Sequence, residues 1–133
     1  NPEDLRSDWL LHDGSAWEGA ETYEEWQHWF VQRGATAPSW AGGQQFNLSQ
    51  LALGAALAGQ GIAMGRAALV LQDVKAGRLV PLLGCSVRSR AAYSFVTSSH
   101  PSPAMQQVRD WLAEEAKRFC IDREALLPAV QAH

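Results

Sequence analysis

The sequence predicts an α/β fold. Helical stretches alternate with short apolar runs, the arrangement that builds a sheet through right-handed crossovers. The helical stretches stop at glycines, Gly34, Gly59 with Gly61, and Gly77. Between Gly59-Gln60-Gly61 and the next helical pattern lies only Ile62-Ala63-Met64, the length of a short buried strand.

Taken in order, the chain opens polar and becomes apolar at Trp9-Leu10-Leu11-His12, a first strand, closed by the turn signal Asp13-Gly14-Ser15. Thr22-Tyr23-Glu24-Glu25 has the pattern of a capping box, with Thr22 placed to bond the backbone at Glu25. The helix it opens carries Trp26, Trp29 and Phe30 on one face and stops at Gly34. A loop holding Pro38 leads to a strand over residues 44–48. Ser49 is placed to cap a helix over residues 50–58. Leu51, Leu53, Ala55, Ala56 and Leu57 make that helix apolar on more than one side, as for a helix buried on several faces. Gly61 is expected in a left-handed conformation between this helix and the strand at residues 62–64, which is read as central and parallel.

A second helix spans residues 66–76, and a strand over residues 79–83 contains Pro81, which confines it to the periphery of a sheet. Residues 91–97 read as a further strand. Ser102 and Pro103 then open a helix running to about Phe119, with Met105, Val108, Trp111, Leu112 and Phe119 as its apolar face. Residues 120–133 are read as a tail holding a short helix.

Composition narrows the function. At 133 residues the chain is one domain in length, with a net charge of -3 and no basic cluster to follow a phosphate backbone, so nucleic-acid binding by this chain alone is not expected. No apolar run is long enough to span a bilayer, and the start lacks a signal-peptide pattern, so the expected compartment is the cytoplasm, with no membrane partner. Cys85 and Cys120 are far apart and read as two reduced thiols. The tryptophans, four of them at Trp9, Trp17, Trp26 and Trp29, read as packing groups. There is no metal-ligand spacing, no nucleophile elbow and no phosphate loop, and neither Glu24/Glu25 nor Glu114/Glu115 makes a carboxylate pair on one helix face. An enzyme is therefore not expected, nor a cofactor.

The order helix, Gly59-Gln60-Gly61-Ile62-Ala63-Met64-Gly65, helix, Asp73-Val74-Lys75-Ala76-Gly77-Arg78-Leu79-Val80-Pro81, followed by Tyr93-Ser94-Phe95-Val96-Thr97-Ser98-Ser99-His100-Pro101 and a helix with Trp111-Leu112, resembles the effector-sensing domain of LysR-type transcriptional regulators. It is most similar to the subgroup that includes regulators of glycine cleavage. The resemblance covers residues 5–119. It implies a periplasmic-binding-protein-like α/β fold of two subdomains with a small molecule in the cleft between them. On that pattern, residues 1–86 resemble one near-complete three-layer subdomain. Residues 87–119 resemble the return strand and final helix of the other, and residues 120–133 are a tail. The helix-turn-helix of the family is absent, so the chain is expected to be a fragment whose parent binds DNA through that missing module. The alternative is a fragment of a solute-binding protein of similar fold, which would follow a signal peptide.

Open α/β sheets bind ligands beyond the C-terminal ends of their strands. Here that rule points to His12 and Asp13, to Asn47, Ser49 and Gln50, and to Gly65 and Arg66. In the family, residues at the second and third of these places face the cleft, and Tyr93 on the return strand is a further candidate. The bland readings stand beside these: Ser49 as a cap, Asp13 as a turn residue, Arg66 as a surface ion-pair partner, Tyr93 as sheet packing. The implied ligand is a small polar metabolite. An apolar face over residues 91–119 without the rest of its subdomain needs cover, which predicts a homo-oligomer.

Overall fold

The computed structural model describes residues 1–40, 42–84 and 86–128. Its sheet has three parallel strands in the order β2-β1-β3, with β1 over Leu10–Asp13, β2 over Gln44–Phe46 and β3 over Ile62–Ala63. Leu11 pairs with Gln44 on one side, and Leu10 with Ile62 on the other. The α/β expectation holds, but β3 is an edge of the sheet and β1 is its centre.

Successive residues of β1 point to opposite faces. Leu10 packs with Trp26, Trp29 and Phe30 of α1 (Glu24–Arg33). Leu11 packs with Ala52 and Ala55 of α2 (Ser49–Leu57). Helices thus cover both faces. The Trp26 indole also donates to the Leu11 carbonyl at 3.1 Å, which satisfies its polar edge inside the core. α1 stops at Gly34, at φ 61, as its sequence predicts. Trp9 is half exposed, so only Trp26 and Trp29 of the four N-terminal tryptophans are fully buried.

Several local expectations are overturned. Tyr23, not Thr22, caps α1, and no side chain bonds there. Glu24 instead reaches back to the Glu21 amide at 3.2 Å, because Glu25 is turned inward. Ser49 is the first residue of α2 rather than its cap, and its hydroxyl is spent elsewhere. α2 buries Ala52 and Ala55 but leaves Leu51 and Leu57 about half exposed, so one face alone is covered. Gly61 is not left-handed; Gly59 is, at φ 72. Gly61 is required instead by crowding, since a Cβ there would lie 2.5 Å from the Trp9 carbonyl oxygen.

α3 spans Ala67–Lys75 and stops before Gly77, at φ 70. The strand expected over residues 79–83 is absent. The chain turns through a 3-10 segment at Leu82–Gly84, with Leu83 left-handed at φ 65, and Pro81 has no amide to give a ladder. The strand expected over residues 91–97 is also absent among the described residues, because no neighbouring strand is there to pair with it. Ser102 does cap the last helix, accepting from the Met105 amide at 3.3 Å. That helix, α4, runs over Pro103–Leu126 and passes Phe119 without a break, since no glycine or proline interrupts residues 104–127. It buries none of its residues. Its far end is tied down by Lys75 to Asp122 at 2.6 Å and by the Ser86 amide to the Pro128 carbonyl at 2.8 Å. Cys120 is a free, exposed thiol, and Cys85 lies outside the described residues.

Candidate functional site

The C-terminal end of β1 is a polar centre. Asp13, its last residue, is 4% exposed, so its carboxylate needs partners. The turn after it supplies two: the Ser15 amide at 2.9 Å and the Ser15 hydroxyl at 3.0 Å, both to Oδ1. The Ser15 hydroxyl also lies 2.7 Å from the Asn47 carbonyl oxygen, which links the turn to the segment after β2. The first turn of α2 contributes the Ser49 hydroxyl, which donates to Oδ2.

Arg66, the N-cap residue of α3, comes from the segment after β3. Its Nη2 donates to the Ala16 carbonyl and lies 3.8 Å from Oδ2 of Asp13. Its Nε lies 3.8 Å from Oε1 of Glu25 in the first turn of α1 and has no hydrogen-bond partner. The ends of β1 and β3 and the start of α1 therefore meet at one guanidinium between two carboxylates, and Ser49, from beyond β2, holds the Asp13 side. Burial drives the Glu25 carboxyl up to about 7; Arg66 opposes that rise and the Asp13 charge adds to it.

Glu25 and Arg66 also line a groove of about 620 Å³. Its walls are mainly apolar and include Trp17, Trp26, Met64 and Val70. One rim is the segment after the 3-10 turn at Leu82–Gly84. That segment is strapped to α1: His28 Nε2 lies 2.8 Å from the Arg88 carbonyl oxygen, and Arg90 reaches Glu24 at 2.5 Å and covers the Trp17 ring at 5.7 Å.

Of the residues expected at a site, Asp13, Ser49 and Arg66 are brought together. Asn47 joins through its carbonyl alone. Gly65 adjoins Arg66 on the groove, where a Cβ would press on Val70 at 2.8 Å. Gln50 is exposed and outside this cluster. Tyr93 is 75% exposed and lines the groove from the segment that follows the 3-10 turn. His12 is turned away from Asp13 by strand alternation and is wholly buried, edge-on to Tyr23 at 4.8 Å and near Trp40 at 6.4 Å. Burial lowers its pKa, opposed by the Gly42 backbone, although neither ring nitrogen makes a hydrogen bond of ordinary geometry.

Glu25 was not foreseen. The one available signal is its place four residues before Trp29, on the buried face of α1. Glu24 and Glu25 do face different ways, as adjacent helix residues must: the first meets Arg90 and the second Arg66. Among the described residues no three His, Cys, Asp or Glu side chains are grouped to hold a metal ion, and no helix is long and apolar enough to cross a membrane.

Comparison with known proteins bears on this geometry. A family model described as the LysR substrate binding domain matches residues 1–117. The HTH-type transcriptional regulator DsdC of Escherichia coli (strain K12) is 33% identical over 110 residues, 81% of this chain and 35% of that protein. The glycine cleavage system transcriptional activator of the same strain is 31% identical over 119 residues, 86% of this chain and 36% of that protein. This chain thus spans about a third of the length of the curated relatives it matches. No solved structure matches significantly. A match over nearly the whole chain, with the parallel sheet and polar strand ends described above, makes this chain a member of the LysR substrate-binding domain family.

Proposed function

We infer that this chain is the effector-sensing part of a transcriptional regulator, and that a small polar metabolite binds at the C-terminal ends of its strands. The observation that carries this reading is the convergence of Asp13, Ser49 and Arg66 from three strand ends on one edge of the sheet. Parallel sheets offer helix N-termini and free backbone donors at that edge, where ligands gather. In this reading Asp13 organises the site, and Arg66 and Glu25 meet the ligand.

The subdomain arrangement belongs to the same proposal. Residues 1–86 form one lobe, and residues 87–119 belong with a second lobe that completes the cleft. Effector binding shifts the balance between lobe or dimer arrangements, and distant DNA-binding helices in the parent protein respond. The parent then works in the cytoplasm, assembles as a homo-oligomer, and contacts DNA through a module outside this sequence. Similarity to two regulators supports this over a solute-binding protein and over an enzyme.

Thermal-shift screening tests the site. A panel of organic acids, amino acids, sugars and nucleosides is run against the wild type and Arg66→Ala. At least one compound is expected to raise the wild-type Tm and leave the variant unmoved. Equal shifts in both proteins, or none in either, would overturn the placement of the site.

A further inference from the structure

His12 is wholly buried, and both of its ring nitrogens lack a hydrogen-bond partner. A neutral imidazole presents one donor and one acceptor, so both needs go unmet in the folded chain. An imidazolium presents two donors and a charge, and the surroundings offer them nothing. Tyr23, the N-cap residue of α1, stands edge-on at 4.8 Å, but its hydroxyl is taken by the Gln45 amide at 2.9 Å. Trp40 lies 6.4 Å away and stacks on Tyr23. Gly43 comes so close that a Cβ there would lie 2.9 Å from Nε2. The carboxylates of the neighbouring elements are committed elsewhere: Glu24 to Arg90, Glu25 to Arg66, Asp8 to Arg6, and Asp13 to Ser15 and Ser49.

We propose that His12 is an acid-triggered latch: its protonation drives the ring from beneath Tyr23 and Trp40 and frees β2 from the end of β1. Trp40, Gly42 and Gly43 lie just ahead of β2, so displacing that cover loosens the strand. β2 is a three-residue edge of the sheet, and His12 itself pairs in register with its Gln45. Short edges open before the rest of a fold. The release reaches the polar centre as well. The Gly14 amide donates to the Phe46 carbonyl at 2.8 Å, and the Ser15 hydroxyl lies 2.7 Å from the Asn47 carbonyl oxygen. The turn that holds Asp13 therefore loses its anchor when β2 departs. Burial lowers the His12 pKa, opposed only by the Gly42 backbone, so the closed form resists the proton and the open form takes it.

Amide hydrogen exchange on the full chain at pH 7.5 and pH 5, corrected for intrinsic rates, tests the latch. The Gly14 amide and those of the β1–β2 ladder are expected to lose protection about tenfold on acidification, while amides inside α2, on the other face of β1, stay within about twofold. His12→Phe keeps a planar ring that cannot titrate, and its Gly14 and ladder amides should also stay within about twofold. Glu25 and the other histidines titrate in both proteins, so the difference belongs to His12. Equal losses in wild type and variant, or a loss that spreads evenly into α2, overturn the inference. Should His12→Phe fail to fold, nuclear magnetic resonance titration of the wild-type imidazole decides. A His12 pKa below the ordinary 6.5, with ladder protection falling as the ring charges, upholds the latch; a value of 6.5 or above, or a ring that charges with the ladder intact, overturns it.

Discussion

The hydroxyl of Ser49 donates to Oδ2 of Asp13, across 36 residues of sequence, and so fastens the first turn of α2 to the C-terminal end of β1. A serine placed to cap a helix by its position is used instead to hydrogen-bond a buried carboxylate.

Removing either partner has different consequences. Ser49→Ala deletes one donor to a charged acceptor and should cost about 1.5–3 kcal/mol. Asp13→Ala leaves the Ser15 amide and the Ser49 hydroxyl without their acceptor, removes the charge beside Arg66, and should cost more, about 3–5 kcal/mol. Urea unfolding of the two variants measures the difference. Equal losses would show that Asp13 holds nothing together beyond the Ser49 bond.

Gly61 is hemmed in by the Trp9 carbonyl at 2.5 Å and the Leu11 side chain at 3.0 Å from its missing Cβ. Gly61→Ala should therefore destabilise by about 1–3 kcal/mol, and Gly61→Val by more. Gly59 has open space around it but a left-handed backbone at φ 72, so Gly59→Ala should cost about 1 kcal/mol through strain alone. An unchanged Tm for Gly61→Ala would mean that the strand moves aside freely.

Glu25 makes stability depend on pH with a definite sign. Its carboxyl is raised to about 7 when folded, from an ordinary value of 4.5, so the folded state holds its proton more tightly. The stabilisation is complete below about pH 4.5 and is lost as pH rises towards 7, by at most roughly 3 kcal/mol. His12 acts oppositely: its lowered pKa gives stability that is present above the ordinary 6.5 and lost on acidification. The comparison must therefore be a difference. Relative to Glu25→Gln, the wild type should lose stability between pH 5 and 7; parallel profiles would sink the assignment.

α4 has no buried residue, and Met105, Val108 and Trp111 are 40%, 45% and 60% exposed. In dilute solution the amides of residues 107–116 should exchange far faster than those of α1. At higher concentration a homo-oligomer through this face should slow their exchange and shift Trp111 emission to the blue. Light scattering that stays monomeric while these amides are protected would refute the oligomer.

What could be read from the sequence was local. The buried face of Trp26, Trp29 and Phe30, the stop at Gly34 and the Ser102 cap depend on neighbours within a turn or two, and each is present. What could not be read depended on distant partners. Residues 91–97 have an apolar strand pattern, but a strand exists only beside another, and none stands there. Ser49 looked like a cap until Asp13 came within reach. Glu25 looked like half of a capping box because nothing nearby announces Arg66, 41 residues on (66 minus 25). The alternation that sends Asp13 to the site sends His12 to the core, yet both looked equally suited to a strand end.

The first strand of the chain is the middle strand of the sheet, and this sets a timetable for synthesis. Leu11 waits for Gln44, 33 residues later (44 minus 11), and Leu10 waits for Ile62, 52 later (62 minus 10). A nascent chain emerging from the ribosome therefore holds its most fully buried strand unpaired for most of the translation of the sheet. Both flanks close only after Ala63 is free, and each closure spans a long loop whose entropy must be met first. Through that interval Leu10 and Leu11 have no strand beside them, and their burial waits on β3.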